Sequence, residues 1–159
     1  LFRSLEGMGS TCSALVIKDG EAFFGHVGDS RIYRVRDGEI EQLTEDHSVV
    51  AALVKGGLIT SEQAAKHPAR NQLMRAIGPM PMVDIDISPL FPIRENDVFI
   101  LCSDGLHGVV TAEEIRDVCL AETPQAAVER LVELALSRGA PDNVTVIVAR
   151  IEAPAPAAV

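Results

Sequence analysis

Apolar and polar residues alternate over Arg31 to Arg36, and enough over Cys12 to Lys18, to read as half-buried strands, and Glu21 to Gly28, rich in Phe and Val, reads as another. Asp19-Gly20 and Asp37-Gly38 separate such runs as two-residue hairpin turns, and Glu39 to Leu43 returns from the second. The first 45 residues therefore read as a β-meander.

From Thr44 the period lengthens. Val49 to Val54 is an apolar helical run ended by Gly56-Gly57, and Thr60-Ser61-Glu62-Gln63 opens another helix with a hydroxyl cap. Asn71 to Ile77 predicts a further short helical turn before Gly78-Pro79, which makes residues 44–78 a helical insertion. Strands are predicted over Val83 to Ile87 and Asp97 to Cys102. Thr111-Ala112-Glu113-Glu114 forms a capping-box pattern for a helix to about Leu120. Thr123-Pro124 opens a longer helix with Ala127, Val128, Leu131, Leu134 and Ala135 at three- and four-residue spacing, closed by Arg138-Gly139. Asn143 to Ile151 is a last strand, and residues 152–159 form a Pro/Ala-rich tail resembling the start of a linker. Such an order is not the alternation of a doubly wound fold. It is α+β, antiparallel sheet covered by helices.

Composition narrows the function. The chain has 159 residues, one domain's worth, with 47% apolar and 23% charged residues and a net charge of −9. The acidity and the lack of clustered Lys and Arg exclude a nucleic-acid partner. No apolar run approaches the roughly 20 residues that cross a bilayer. Cys12, Cys102 and Cys119 form no CxxC pair and sit in apolar runs, as free thiols in a reducing cytoplasm would. The four His and three Cys lack zinc-site spacing, no Cys precedes a Gly-rich loop and Arg, and no GxxxxGK[ST] stretch exists.

What remains is acidic. Asp29 in Val27-Gly28-Asp29-Ser30-Arg31, Asp104 in Ser103-Asp104-Gly105-Leu106 and Asp142 in Pro141-Asp142-Asn143-Val144 each sit in a turn at the edge of an apolar run. Each turn alone is ordinary turn chemistry. Three carboxylates at strand ends suit hard divalent cations. His26, His47, His67 and His107 have no partner at ligand spacing; His47 and His67 flank the insertion, where either could protonate a leaving group. Arg31 and Arg75 are the arginines that could contact phosphate.

Five stretches carry a resemblance. Gly28-Asp29-Ser30-Arg31, Leu43-Thr44-Glu45-Asp46-His47-Ser48, Asn71-Gln72-Leu73-Met74-Arg75-Ala76-Ile77-Gly78, Ser103-Asp104-Gly105-Leu106 and Asp142-Asn143-Val144-Thr145 occur in one order, with Met8-Gly9-Ser10-Thr11 before the first strand. Together they resemble the PP2C-type (PPM) metal-dependent protein serine/threonine phosphatases of the bacterial branch, from about Gly7 to Ile151. The resemblance implies a β-sandwich of antiparallel sheets flanked by helices, with residues 44–78 as a mobile flap. It implies that Asp104 and Asp142 ligate a two-metal centre of Mn²⁺ or Mg²⁺, and that Asp29 holds a third, weaker ion with Asp104. The ions would acidify a water for in-line attack on the phosphorus of phosphoserine or phosphothreonine. Gly105 would let the backbone approach the metal shell, Asn143 would support the Asp142 loop, and His47, His67 and Arg31 would serve as flap or phosphate contacts. Phosphorylated proteins, a serine/threonine kinase and its substrates among them, are the implied partners.

One departure matters. Full-length relatives carry an Asp-Gly-Met-Gly-Gly element and a phosphate-binding Arg upstream of the Met-Gly-Ser/Thr-Thr element, whereas here seven residues precede Met8 and the first does not read as a start. Glu6, in Leu5-Glu6-Gly7-Met8-Gly9, is a poor stand-in, because Met8-Gly9-Ser10-Thr11 runs straight into the first strand. Residues 1–151 thus read as a partial phosphatase domain lacking its N-terminal strands, expected to be inactive alone. The competing reading is a non-catalytic module of the same fold that binds phosphoproteins or regulators.

Overall fold

The computed structural model describes residues 7–153; Glu6 and the tail from residue 154 lie outside the described residues. Its strands are β1 (Cys12–Lys18), β2 (Glu21–Val27), β3 (Arg31–Arg36), β4 (Glu39–Gln42), β5 (Asp86–Ile87), β6 (Phe91–Pro92), β7 (Val98–Cys102) and β8 (Val146–Arg150). Its helices are α1 (Val49–Lys55), α2 (Ser61–Ala65), α3 (Asp104–His107), α4 (Ala112–Ala121) and α5 (Pro124–Ser137).

The early strands are not one meander. β2 pairs with β1 along one edge and with β5 and β6 along the other, while β3 and β4 belong to a second sheet ordered β4-β3-β7-β8. The chain changes sheet at Gly28, and alternation alone cannot signal this because both hairpins share period two. Within each hairpin the Asp-Gly turn is as expected: Asp19 and Asp37 take φ of 52° and 53°, and the glycines after them 82° and 81°. All pairings are antiparallel.

Alternation in β3 and β7 sends side chains two ways. Tyr33, Val35, Val98, Ile100 and Cys102 face the helices, where Leu106, Val110, Ile115, Cys119, Ala127, Leu131 and Ala135 complete one core. Ile32 and Phe99, both fully buried, point the other way. There the Phe99 ring meets Phe91 of β6 at 6.4 Å between centroids, joining the sheets in a sandwich. Reciprocal capping-box bonds start α4, from Glu114 N to Thr111 Oγ1 and from Thr111 N to Glu114 Oε2. Glu114 also receives Arg138 from the end of α5, and that guanidinium first, the Thr111 amide second, pulls its carboxyl down to about 2.

Two further expectations need correction. Asn71 to Ile77 is not helical; it is extended enough for Leu73 to bridge Ser48 and for Ile77 to bridge Ser10. These contacts span many residues, so a local pattern could not show them. The strand expected over Val83 to Ile87 shrinks to β5, and the two-residue β6 was not foreseen. Elsewhere α1, α2, α4 and α5 lie where periodicity and caps place them.

Candidate functional site

Strand register brings the three acidic turns together. Arg31 at the start of β3 pairs with Cys102 at the end of β7, and Cys102 pairs with Val146 at the start of β8. The segments just beyond these residues hold Asp29, Asp104 and Asp142, which must gather at one end of the second sheet. All three line a single cleft of about 700 Å³, bounded on its other side by α1, α2 and Arg70-Asn71.

Each turn is held by backbone contacts. Gly28 has φ +110°, and a Cβ there would lie 2.3 Å from Thr11 Cγ2, so glycine is required both by conformation and by space. His107 Nε2 donates to the Asp29 carbonyl at 2.9 Å, and Gly28 N–H donates to His47 Nδ1 at 3.2 Å. Burial first, then the Arg31 charge, lowers the pKa of His107, keeping the imidazole neutral and consistent with a single Nε2 donor. Ser103 clasps the Asp142 loop: its Oγ donates to Asn143 O at 3.1 Å and accepts from Thr145 N at 3.0 Å. Asn143 N in turn donates to Asp142 Oδ1 at 2.7 Å.

Gly105 is where the Asp104 and Asp142 turns touch. An added Cβ would lie 2.3 Å from Asn143 O and 2.9 Å from Asn143 C, both backbone atoms. Helix propensity favours Ala over Gly by about 1 kcal/mol within α3. The clash opposes it, and neither side can yield while Ser103 holds the loop. Gly105→Ala is therefore expected to destabilise the fold by about 2 kcal/mol net, as overpacking does. Denaturant midpoints check this; a midpoint above wild type would show that propensity wins.

Electrostatics couple Asp29 to Asp104. The Asp29 carboxyl is raised above its ordinary value, first by burial and then by the Asp104 charge. A cation between them would relieve that repulsion, and the all-carboxylate donor set matches a hard divalent ion. The fit is to part of a shell: among the described residues, no three His, Cys, Asp or Glu side chains converge into a ready metal-holding group.

The other sequence candidates separate. Arg31 lines the cleft, but its guanidinium is engaged: Nε and Nη2 donate to Asp46 at 2.9 and 2.7 Å, and Nη1 to Tyr33 OH at 2.9 Å. His47 is buried outside the cleft lining, with Nε2 donating to Asp86 Oδ2 at 2.9 Å and its ring against His26. Arg75 joins the same Asp86 at 2.7 Å. His67 Nδ1 accepts from Ala69 N in its own turn. The holding roles of Ser103 and His107 are not visible in the sequence, because their partners lie 40 and 78 positions away. Asp46 does stand within one of the recognised stretches, which is a signal, although nothing local gives it a role.

These geometric features agree with the comparisons. A family model described as "Protein phosphatase 2C" matches residues 3–139. The serine/threonine protein phosphatase PstP of Mycobacterium tuberculosis (strain ATCC 25618 / H37Rv) is 41% identical over 150 residues, covering 92% of this chain and 28% of PstP. The protein phosphatase PhpP of Streptococcus pneumoniae is 40% identical over 141 residues, covering 88% of this chain and 57% of PhpP. The crystal structure of the Mycobacterium tuberculosis phosphatase PstP/Ppp superposes with a TM-score of 0.90 at 41% identity, covering 96% of this chain and 64% of that one. A PstP catalytic domain in complex with two manganese ions gives a TM-score of 0.82 at 38% identity, over 93% of this chain and 61% of that one. The chain spans between 28% and 57% of the curated relatives named here. An α+β sandwich with ordered acidic turns, a family match over most of its length and relatives of this similarity establish that the chain belongs to the protein phosphatase 2C family.

Proposed function

We propose that the chain forms the larger part of a catalytic domain that hydrolyses phosphoserine and phosphothreonine in proteins, using Mn²⁺ or Mg²⁺ held by Asp104 and Asp142, with Asp29 and Asp104 holding a further ion. The observation that carries this reading is the meeting of the three carboxylates in one cleft. Bound there, the ions would supply an acidified water and neutralise charge on the transferring oxygens. The chain's own part is positional: His107 and His47 fix the Asp29 turn, Ser103 fixes the Asp142 turn, and Gly105 lets the Asp104 and Asp142 turns stack. Arg31, engaged by Asp46, orders the cleft wall and does not reach for phosphate.

The reading extends to partners. Phosphorylated proteins, including a serine/threonine kinase and its substrates, are the proposed ligands, in keeping with the names of the relatives. A reducing cytoplasm suits the free cysteines; burial pushes the Cys102 thiol up to about 12 and the Cys119 thiol up to about 11, leaving both inert. No helix among the described residues is long and apolar enough to cross a membrane.

A second reading has one observation behind it. Because the three carboxylates do not form a complete metal-holding group, a module that binds phosphoproteins without turning them over is the alternative. Hydrolysis of a phosphothreonine peptide by the 159-residue chain, with Mn²⁺ and with chelator, tests both. We expect negligible turnover from this chain, and Mn²⁺-dependent turnover once the preceding segment of a relative is fused ahead of Gly7. Folded fusion protein that binds the peptide and never releases phosphate would select the binding module.

A further inference from the structure

The wall of the cleft facing the carboxylates has a chemistry that hydrolysis does not require. Val50, Ala51 and Val54 project from α1 into the cleft, and Ala64 and Ala65 from α2 continue the surface. These side chains are half-buried or exposed, an apolar shelf left open to water. Arg70, which is exposed, lines the same cleft. The other two cations of the cleft are occupied, Arg31 by Asp46 and Lys55 by Glu45 at 2.7 Å. Among the described residues Arg70 forms no ion pair, in a cleft that also carries Asp29, Glu45, Asp46, Asp104 and Asp142. A single uncommitted guanidinium beside an uncovered aliphatic face is complementary to a peptide with an aliphatic side chain followed by a carboxylate.

We propose that this shelf and Arg70 form the recognition site for the peptide flanking the phosphorylated residue, taking an aliphatic side chain against Val50 and Val54 and an acidic side chain at Arg70. The proposal rests on the phosphopeptide reading above. It makes Arg70 and Val54 specificity-determining residues, remote from the bond that breaks, and it predicts that the flanking sequence chooses the substrate. Phosphate itself could also meet a guanidinium, so the test separates the phosphoryl group from the flanking carboxylate.

The test is fluorescence anisotropy with dye-labelled phosphothreonine peptides in Mn²⁺ buffer, their flanks carrying Leu or Ser at one position and Asp or Asn at the next, beside unphosphorylated counterparts. The 159-residue chain is expected to prefer Leu over Ser by about tenfold, from apolar burial. It should prefer Asp over Asn by about three- to fivefold, the worth of a half-exposed ion pair. Arg70→Ala should remove only the Asp preference and Val54→Ser only the Leu preference, with melting curves showing both folded. Phosphopeptides that bind equally whatever their flanks would overturn the site and leave the phosphatase reading standing. Equal weakening of Asp and Asn peptides in Arg70→Ala would also overturn it, because Arg70 would then be a phosphate contact. Absence of binding by any peptide at millimolar concentration overturns it too. Flank preferences retained in peptides to which the phosphate adds no affinity would keep the site and remove the phosphatase reading instead.

Discussion

In Asp104→Asn, metal response and turnover should vanish while the metal-free fold stays as stable as wild type, or becomes slightly more so. The substitution keeps shape and removes one charge. The backbone role of this position, in which Asp104 O accepts from Gly108 N at 2.8 Å at the start of α3, is untouched. The Asp104 charge helps raise the Asp29 carboxyl, so its removal relieves a repulsion that the apo protein carries. Metal binding works in the opposite direction. At a concentration of 100 times its dissociation constant an ion stabilises the fold by about 2.7 kcal/mol, and a lost ligand cancels that gain. Loss of groups behind a ligand typically costs about 10–100-fold in metal affinity or activity, so loss of the ligand itself should reduce Mn²⁺-dependent turnover by at least about a hundredfold. Thermal melts with and without Mn²⁺, together with turnover in the fused protein, give both signs. Unchanged turnover would remove Asp104 from the metal centre, and a lower apo melting temperature would make it a structural residue.

The separation between what the sequence disclosed and what it withheld follows the reach of each interaction. The Asp-Gly turns, the Thr111 capping box and the Pro124 start of α5 each depend on four or fewer neighbouring residues, and all were legible. β1 and β3 were legible to the residue, because each is a short apolar-rich run bounded by turn residues. The Asp29 and Asp142 turns were visible as turns, whereas Asp104, also expected in a turn, opens the short helix α3; the order of the three stretches carries the family resemblance. What period two cannot disclose is which sheet a strand joins, so the chain's crossing at Gly28 looks in the sequence like a further turn of one meander. Asn71 to Ile77 failed for a similar reason: its backbone partners are Ser48 and Ser10, far away in sequence. In the cleft, the carboxylates could be picked out by residue type, whereas the groups holding them could not. Ser103 and His107 act through backbone atoms across 40 and 78 positions, and Arg31 is claimed by Asp46 across 15.

Removal of Asp97 should produce the converse of the Asp104 result, a large loss of stability with no loss of metal response. Asp97 is 1% exposed and receives Arg36 Nε at 2.7 Å, Arg36 Nη2 at 2.6 Å and the Arg94 amide at 2.8 Å. Arg36 also donates to Pro92 O at 3.0 Å, so the pair ties the end of β3 in one sheet to β6 in the other. It lies at the opposite end of β3 from Arg31 and the cleft. Asp97→Ala strands a largely buried guanidinium and an amide; such a loss costs about 3 kcal/mol, near the low end for a broken buried pair because Arg36 can still reach some water. For a domain of this size that lowers the melting temperature by about 6–12 °C. The double variant Arg36→Met with Asp97→Ala should recover at least half of the loss, since no charge is then left unpaired. The pH dependence has a definite sign. Burial alone would raise the Asp97 carboxyl, but Arg36 and the Arg94 amide outweigh it and hold the group below its ordinary value of 3.8. The pair's contribution is thus fully present above that value and lost as pH falls through the depressed one. Wild type and Asp97→Ala should differ by a constant amount above about pH 5 and converge in stronger acid. Convergence on the alkaline side instead would mean that Arg36, not Asp97, sets the titration. A Mn²⁺ response that disappears along with the stability would show that the far end of the sandwich governs the cleft.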